Sequence, residues 1–492
     1  MKSLAKSLWT ILFLCAAMTI ASHAQTFKTL HQFDGFDGGQ GLTGLVQGPN
    51  GNLFGSTEIN GKNNVGTLFE IGQLGGMTDI YDFCPQTGCS DGANPNAALL
   101  LASDGNLYGT TNGGGANGKG GTIFKITPSG HVVTIYSFCS MANCADGSGP
   151  TTLVQGHNGH LYGITGGGGT GVYCPPGTPG LCGTAFDVTV TGQLTTLYNF
   201  CSLPGCRDGY DANSLTLGTD GNFYGTGLQG GYKNYGTAFV ISPFGKLAVL
   251  HEFTNKSDGF VPNKLVQGND GNFYGTSAFG GSGGGDGVFF QLTPKGVFTA
   301  LYGFCAKPCP TTPNSIIVGS DGNFYGTSSR GGTYNNCESG FGLGCGTVFQ
   351  LTPGGVLTTI YNFCPEFTCP DGSSPYAPLV QNTNGTFYGV TYSGGSPQRG
   401  DIWGTLFSLS TGLASFVSPN PTFGRVGLKV MVLGNNLTGA TNVSFNRVPA
   451  TFTVLADTLI KATVPSGATT GSIQVTTPTG TLNSNVAFQI LP

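Results

Sequence analysis

The chain has 492 residues, only 9% of them charged, and a net charge of −4. That balance excludes a basic nucleic-acid surface, and ample apolar (38%) and aromatic (11%) content without charge blocks excludes a disordered chain. Glycine is the outlier at 86 residues, and it follows no G-X-Y period, which excludes collagen.

The chain opens MKSLAKSLWTILFLCAAMTIASHAQT. Lys2 and Lys6 form a basic start, Leu8 to Ile20 is apolar, and Ser22-His23-Ala24 supplies small residues at cleavage offsets. This pattern predicts a secretory signal peptide over 1–24 and a mature chain from Gln25. Cys15 raises lipid attachment as an alternative, but it follows Phe13-Leu14, not the small residues that such a site favours. No later run is long and apolar enough to span a bilayer. The expected location is secreted, extracellular or at the cell surface, with no membrane span after signal removal.

From there the chain repeats. A turn-and-strand core occurs seven times: NGNLFG (50–55), DGNLYG (104–109), NGHLYG (158–163), DGNFYG (220–225, 270–275 and 321–326) and NGTFYG (384–389). An apolar strand precedes each turn. A Gly-Thr-x-Phe strand follows it in six units and reads Gly287-Val288-Phe289-Phe290 in the fifth. A last strand ends in aromatic-x-Phe, as in TIYSF (134–138), TLYNF (196–200), VLHEF (249–253) and TIYNF (359–363). The runs are short, rich in Val, Ile, Thr, Tyr and Phe, and bounded by Gly, Asp, Asn and Pro, so each unit reads as four strands. Four strands per unit of roughly fifty residues predict a β-propeller blade.

Closure is also predicted. The first aromatic-x-Phe strand, TLHQF (29–33), precedes the first complete unit, and the seventh unit lacks a copy of its own. An N-terminal strand that completes the last blade solves both, where an open array would leave unpaired edges. The expected fold is all-β: a seven-bladed propeller over 25–411, closed by its N-terminal strand, followed by an immunoglobulin-like β-sandwich over 412–492.

Fourteen of the 15 cysteines remain after signal removal, and they fall into local pairs. Five pairs each follow an aromatic-x-Phe strand: Cys84 with Cys89, Cys139 with Cys144, Cys201 with Cys206, Cys305 with Cys309, and Cys364 with Cys369. Two more, Cys174 with Cys182 and Cys337 with Cys345, sit in Gly-rich insertions. The strands ending at Phe33 and Phe253 lack both cysteines, never just one, and joint presence or absence predicts disulfides. A zinc site is the poorer reading, because CxxxxC comes without a nearby His or second pair.

In a meander, alternate loops share a face. Calling the strands a to d from the inside outward, the cysteine loops (d to the next a) and the Gly-rich insertions (b to c) share one face. The DGN turns (a to b) and Thr-Pro-x-Gly turns (c to d) share the other. Variation concentrates on the first face, where function carried on loops is expected. Candidates there are Tyr173, Arg207, Tyr232, Lys233, Tyr235, Arg330 and Tyr334, each of which also reads as an ordinary loop-packing or solvated side chain. Asp-Gly follows most d strands, at Asp37, Asp91, Asp146, Asp208, Asp258 and Asp371. These carboxylates read first as Asx-type turns. The sharper reading is an incomplete carboxylate ring at the channel mouth, open to a cation or sugar hydroxyls. The repeated Tyr of the DGN strand (Tyr108, Tyr162, Tyr224, Tyr274, Tyr325, Tyr388) reads as structural, with its hydroxyl bonded to a buried partner.

Catalytic constellations are sparse. His31 and His251 replace the d-strand Tyr, His131 lies by a c-to-d turn, and His157 and His160 flank the third turn. No G-x-S-x-G, P-loop or H-E-x-x-H occurs. No catalytic residue, cofactor or metal site is assigned.

From Leu413 the composition turns to Val, Thr and Asn without Cys. Ser415-Phe416, Pro419, Gly424 to Gly427, Gly434-Asn435-Asn436-Leu437, Val443-Ser444-Phe445, Thr458-Leu459-Ile460 and Val464-Pro465 resemble the IPT/TIG immunoglobulin-like family over nearly the whole tail. That resemblance implies a spacer or adhesive module without activity of its own. Residues 27–410 resemble the Gloeo/Verruco tandem repeat of bacterial exported proteins, in the order Asp-Gly-Asn-Leu/Phe-Tyr-Gly-Thr, Gly-Gly, Gly-Thr-x-Phe, Thr-Pro-x-Gly, Leu/Ile-Tyr-x-Phe. That family implies no established activity. The function expected is a non-enzymatic binding or adhesion protein, whose propeller recognises a glycan or protein at the cell envelope with the tail as spacer. The alternative is an extracellular polysaccharide-active hydrolase or lyase on the same scaffold.

Overall fold

The computed structural model describes residues 25–40, 43–72, 75–174, 182–282, 285–305, 309–337, 343–395 and 403–492. The expected signal peptide lies outside them. Seven antiparallel sheets fill the repeat region, and each pairs its strands in the order a-b-c-d. Blade 4 is representative: Tyr210–Leu217, Phe223–Gln229, Thr237–Ile241 and Leu247–Glu252. In blades 2 and 5 the inner strand is split, into Ala93–Pro95 with Leu100–Leu101 and Phe260–Pro262 with Val266–Gln267. The N-terminal strand Thr26–Gln32 pairs with Thr405–Ser410 and becomes strand d of blade 7, closing the ring as the sequence predicts.

The repeat motifs become contacts between blades. The buried Phe that ends each d strand meets the buried Gly-Thr-x-Phe ring of the next blade, edge to face in five blade pairs and tilted in two. Phe83–Phe124, Phe138–Phe186 and Phe200–Phe239 have centroids 5.2 Å apart. Phe33–Phe69, at 5.7 Å, is the same contact across the closure, from blade 7 to blade 1. Glycine in Tyr-Gly is forced by this packing: a Cβ on Gly225 would lie 2.5 Å from both the Phe239 ring and the Ser214 carbonyl.

The DGN motif is a closed hydrogen-bonding unit. Asp321 accepts the backbone N–H of Asn323 (3.1 Å), its side-chain amide (2.7 Å) and the Tyr325 hydroxyl (2.9 Å). Gly322 takes the positive φ of the turn, +81°. Tyr108, Tyr224 and Tyr274 repeat the bond to Asp104, Asp220 and Asp270, while Tyr162 and Tyr388 accept from Asn158 and Asn384.

The tail forms two sheets face to face, Ser418–Asn420, Lys429–Leu433, Leu459–Thr463 and Phe452–Ala456 against Val448–Pro449, Asn442–Phe445, Ile473–Thr477 and Gly480–Asn483. Val430, Val432, Val443, Phe445, Ile460, Ile473 and Val475 fill the space between them. Alternating apolar residues on each strand produce this sandwich core.

The spacer geometry implied by resemblance is not what the fold shows, because the sandwich is seated on the propeller's DGN face. Leu433, Met431 and Leu459 pack into the blade 1–2 cluster with Leu101 and Leu107. Asn420 donates to the Leu101 carbonyl (2.9 Å), Thr458 to the Pro49 carbonyl (2.9 Å), and Asn435 to the Thr383 hydroxyl (2.6 Å). His157 meets Phe423 at a tilt, with ring centroids 4.4 Å apart, and Gln489 donates to the Thr219 carbonyl. These propeller groups stand at the ends of the inner strands of blades 7, 1, 2, 3 and 4. The sandwich therefore sits across one mouth of the axial channel.

Candidate binding face and axial channel

All seven expected cysteine pairs are disulfides, with Cα atoms 4.0 to 5.9 Å apart. In the loops after the d strands Cys84 is bonded to Cys89, Cys139 to Cys144, Cys201 to Cys206, Cys305 to Cys309 and Cys364 to Cys369. In the Gly-rich insertions Cys174 is bonded to Cys182 and Cys337 to Cys345. Every bond is local to its loop, four to eight residues apart in sequence, so the staples fix the face opposite the sandwich and none ties one blade to another. Among the described residues, the one group of three clustered potential metal ligands, Cys174, Cys182 and Cys201, consists of sulfurs in two of these bonds.

The Asp-Gly carboxylates are engaged by the loops that carry them. Asp146 accepts the Tyr136 hydroxyl (2.8 Å), the Ser140 N–H (3.0 Å) and hydroxyl (2.9 Å), and the Met141 N–H (3.2 Å). Asp208 accepts Tyr198, Ser202 and Leu203 in the same way. Asp91 and Asp371 each accept a d-strand Tyr hydroxyl and the N–H of the following cysteine, Cys84 or Cys364. Burial and then the neighbouring Asp91 carboxylate push Tyr81 up to about 12. In the two cysteine-free loops a histidine substitutes: His31 pairs with Asp37 at 2.6 Å and His251 with Asp258 at 3.1 Å. Burial raises Asp258, but bonds from His251, Thr254 and Lys256 outweigh it and hold the carboxyl below its ordinary value. Asp146, Asp208, Asp258 and Asp371 are all buried. The geometry gives these carboxylates a clamp role, locking each d strand to the next inner strand.

The other face candidates fall into two groups. Arg207 pairs with Glu252, which also accepts the Tyr232 N–H, so blade 4 brings these three together. Lys233 is exposed beside Tyr232, and Tyr235 packs on Phe260 at 5.5 Å. Tyr173 hydrogen-bonds through its N–H to the Cys201 carbonyl (3.0 Å), next to this group. Arg330 and Tyr334 lie apart, on blade 6, where Arg330 is half-buried opposite Thr311. The face exposes aromatic rings: Phe36 and Tyr232 are 83% and 75% exposed, with Tyr173, Tyr334, Tyr376 and Tyr392 partly so.

Sequence reasoning passed over the channel. A cavity of about 410 Å³ is lined by inner-strand residues of all seven blades, among them Thr152, Asn213, Lys264, Ser315 and Tyr376. Lys264 is half-buried there, and burial with no opposing charge lowers its amine below the ordinary value. The signal was present in the repeat: the strand KLVQGND carries a lysine where the other six units have small residues. At the open mouth Tyr376 meets Tyr392 edge to face, centroids 5.6 Å apart.

Fold and site thus define a disulfide-stapled, seven-bladed propeller with one face open and the other covered by its own immunoglobulin-like domain. The sequence matches the Gloeobacter/Verrucomicrobia repeat over residues 16–205, 176–340 and 211–446, and the chain belongs to that family. Residues 414–490 match the IPT/TIG domain. No curated protein sequence matches the chain. Among solved structures it is similar to the extracellular domain of a hybrid two-component system from B. thetaiotaomicron (12% identity, TM-score 0.48, covering 96% of this chain and 60% of that one). It is also similar to a gluconolactonase from Xanthomonas campestris (12%, 0.38, 62% and 88%) and to a PQQ-bound aldose sugar dehydrogenase from Streptomyces coelicolor (11%, 0.37, 78% and 98%). Among the described residues, no helix is long and apolar enough to cross a membrane.

Proposed function

We propose that this is an exported, non-enzymatic binding protein of the cell envelope, and that its stapled face recognises a glycan. One observation carries the reading: partly or largely exposed aromatic rings, Tyr173 and Tyr334 among them in disulfide-bearing insertions, stand around an open channel mouth, while the opposite mouth is covered. Exposed Tyr and Phe rings on rigid supports offer flat apolar contacts and hydroxyl donors at little entropic cost. The low charge of the chain suits a polyhydroxylated ligand. The Asp-Gly carboxylates that a hydrolase on this face would use are tied to Tyr, His and backbone amides, which favours binding over hydrolysis.

The test is a glycan array and a polysaccharide-hydrolysis screen on the mature chain. A glycan hit that weakens roughly tenfold in Tyr232→Ala, about 1.4 kcal/mol, with unchanged melting temperature, supports the reading. Hydrolysis products overturn it in favour of an enzyme. A protein ligand captured by the same face, with no glycan hit, overturns the ligand class.

A further inference from the structure

We propose that the axial channel is a binding site for an acidic sugar, whose carboxylate is held by the Lys264 amine. The proposal rests on the reading of the stapled face as the ligand's entrance.

The seven inner strands share one register. In each inner strand an apolar residue stands five positions before the Asp or Asn of the turn: Leu45, Leu99, Leu153, Leu215, Leu265, Ile316 and Leu379. Those side chains point into the blades and are buried. Strand alternation turns the preceding residue inward. The seven residues so placed, Gly44, Ala98, Thr152, Ser214, Lys264, Ser315 and Pro378, all line the cavity. Six are small and leave room. The seventh, Lys264, is a long, flexible cation.

A lysine inside a protein normally finds a carboxylate or stretches to bulk water. Lys264 takes part in no ion pair or hydrogen bond among the described residues, and burial is the cause of its lowered amine. The carboxylate of its own unit, Asp270, is committed to Asn272 and Tyr274. A desolvated cation without a counter-ion is unfavourable, and a ligand carboxylate would supply one through a charge-assisted hydrogen bond.

The rest of the lining specifies more than an anion. The Thr152 and Ser315 hydroxyls share the ring with Lys264 and have no hydrogen-bond partner among the described residues, so they are available to ligand hydroxyls. Ala98 and Pro378 add an apolar wall, and Tyr376 offers a ring at the mouth. A cavity of about 410 Å³ falls within the roughly 300–1,000 Å³ of small-molecule sites. With the sandwich over the far mouth, the ligand enters from one end, which suits a free sugar acid or the terminal unit of an acidic glycan.

The experiment is calorimetric titration of the mature chain with D-galacturonate and D-glucuronate, against galactose, glucose and acetate. The uronates are expected to bind, and the neutral sugars and acetate to bind at least tenfold more weakly. Lys264→Met is expected to abolish uronate binding without lowering the melting temperature, because it removes an unpaired charge. Should that variant not fold, Ser315→Leu, which fills the ring from another blade, is expected to have the same effect on binding. No uronate binding by the wild type, or undiminished binding in the variant, overturns the proposal. Acetate binding as tightly as the uronates overturns the sugar-acid class. The two readings fail separately: a glycan whose binding is lost in Tyr232→Ala but kept in Lys264→Met overturns the channel site and leaves the face.

Discussion

The two faces of the propeller are built by the same seven units, yet they are held by different means and serve different ends. On the DGN face the Asp or Asn of the turn accepts a backbone N–H from two residues on, and in blades 2, 4, 5 and 6 the Asp also binds the Asn and Tyr of its own turn. On the opposite face six of the seven loops carry an Asp clamp, buried at Asp146, Asp208, Asp258 and Asp371, and five are closed by a disulfide. The self-contained face is flat enough to receive the immunoglobulin-like domain. The stapled face is free to vary in length and to present rings to solvent. Repetition therefore marks the face that is covered, and divergence marks the face that is open.

The covered face is less uniform than it first reads. Asn replaces Asp in the turns at Asn50, Asn158 and Asn384, which belong to blades 1, 3 and 7. The sandwich touches all three of these blades, at Pro49, His157 and Thr383. Blades 2 and 4 keep Asp104 and Asp220 although the sandwich touches them too, at Leu101 and Thr219, so contact with the sandwich does not by itself select the amide.

The largest expected effect comes from parting the domains. Leu433→Ala removes the apolar residue that enters the cluster with Leu101 and Leu107 and should weaken docking by about 2–4 kcal/mol. Calorimetry should then show two melting transitions, or protease should cut between 411 and 417. A single unshifted transition would mean that the covered face is not held by this contact.

Next is the clamp. Asp146→Ala strands the Ser140 and Met141 backbone N–H groups and leaves the Tyr136 hydroxyl only Ser140, and should destabilise by about 2–3 kcal/mol. Asp104→Ala, in an exposed turn on the other face, should cost about 1 kcal/mol. Equal losses in thermal unfolding would remove the distinction between the faces. If Asp146→Ala instead abolished ligand binding at unchanged stability, the carboxylates would be a site and not a clamp.

The disulfides come third. Replacing both Cys139 and Cys144 with Ser should lower stability by roughly 2 kcal/mol through loop entropy. The sign of success is faster proteolysis inside 139–147 while the ring stays folded. Unfolding of the whole propeller would show that the staple holds more than its loop.

The smallest effect is a pH dependence of docking. Burial against Phe423 holds His157 below its ordinary value of 6.5, with Asp220 opposing. The docked state thus favours the neutral imidazole. Docking should be at full strength above pH 6.5 and should weaken as pH falls below it, because only the undocked imidazole gains its proton there. Small-angle scattering at about pH 7.5 and about pH 5.5 would read the change, and His157→Phe should abolish it. No difference between the two pH values would place His157 outside the contact.

Blade number, ring closure, the disulfide pairs and the sandwich core were legible in the sequence because each depends on local pattern. Strand alternation, turn chemistry and paired cysteines act within a single unit, and seven copies repeat the message. Even the aromatic-x-Phe mark was visible, although its partner, the Phe of the next blade, is a tertiary fact. The candidate face followed from strand direction alone. The role of its carboxylates did not, because Asp-Gly reads identically whether the side chain faces solvent or folds back on Tyr136 or Tyr198.

What the sequence by itself determined is the unit and its count: four strands, seven times, with the N-terminus lent to the last blade. Only the tertiary structure decided where the tail goes and what the axis contains. Docking depends on apolar patches of two domains meeting, Leu433 with Leu101 and Leu107, which no single pattern announces. The channel depends on bringing seven distant residues to one ring, so that Lys264 comes to face six small residues from the other blades.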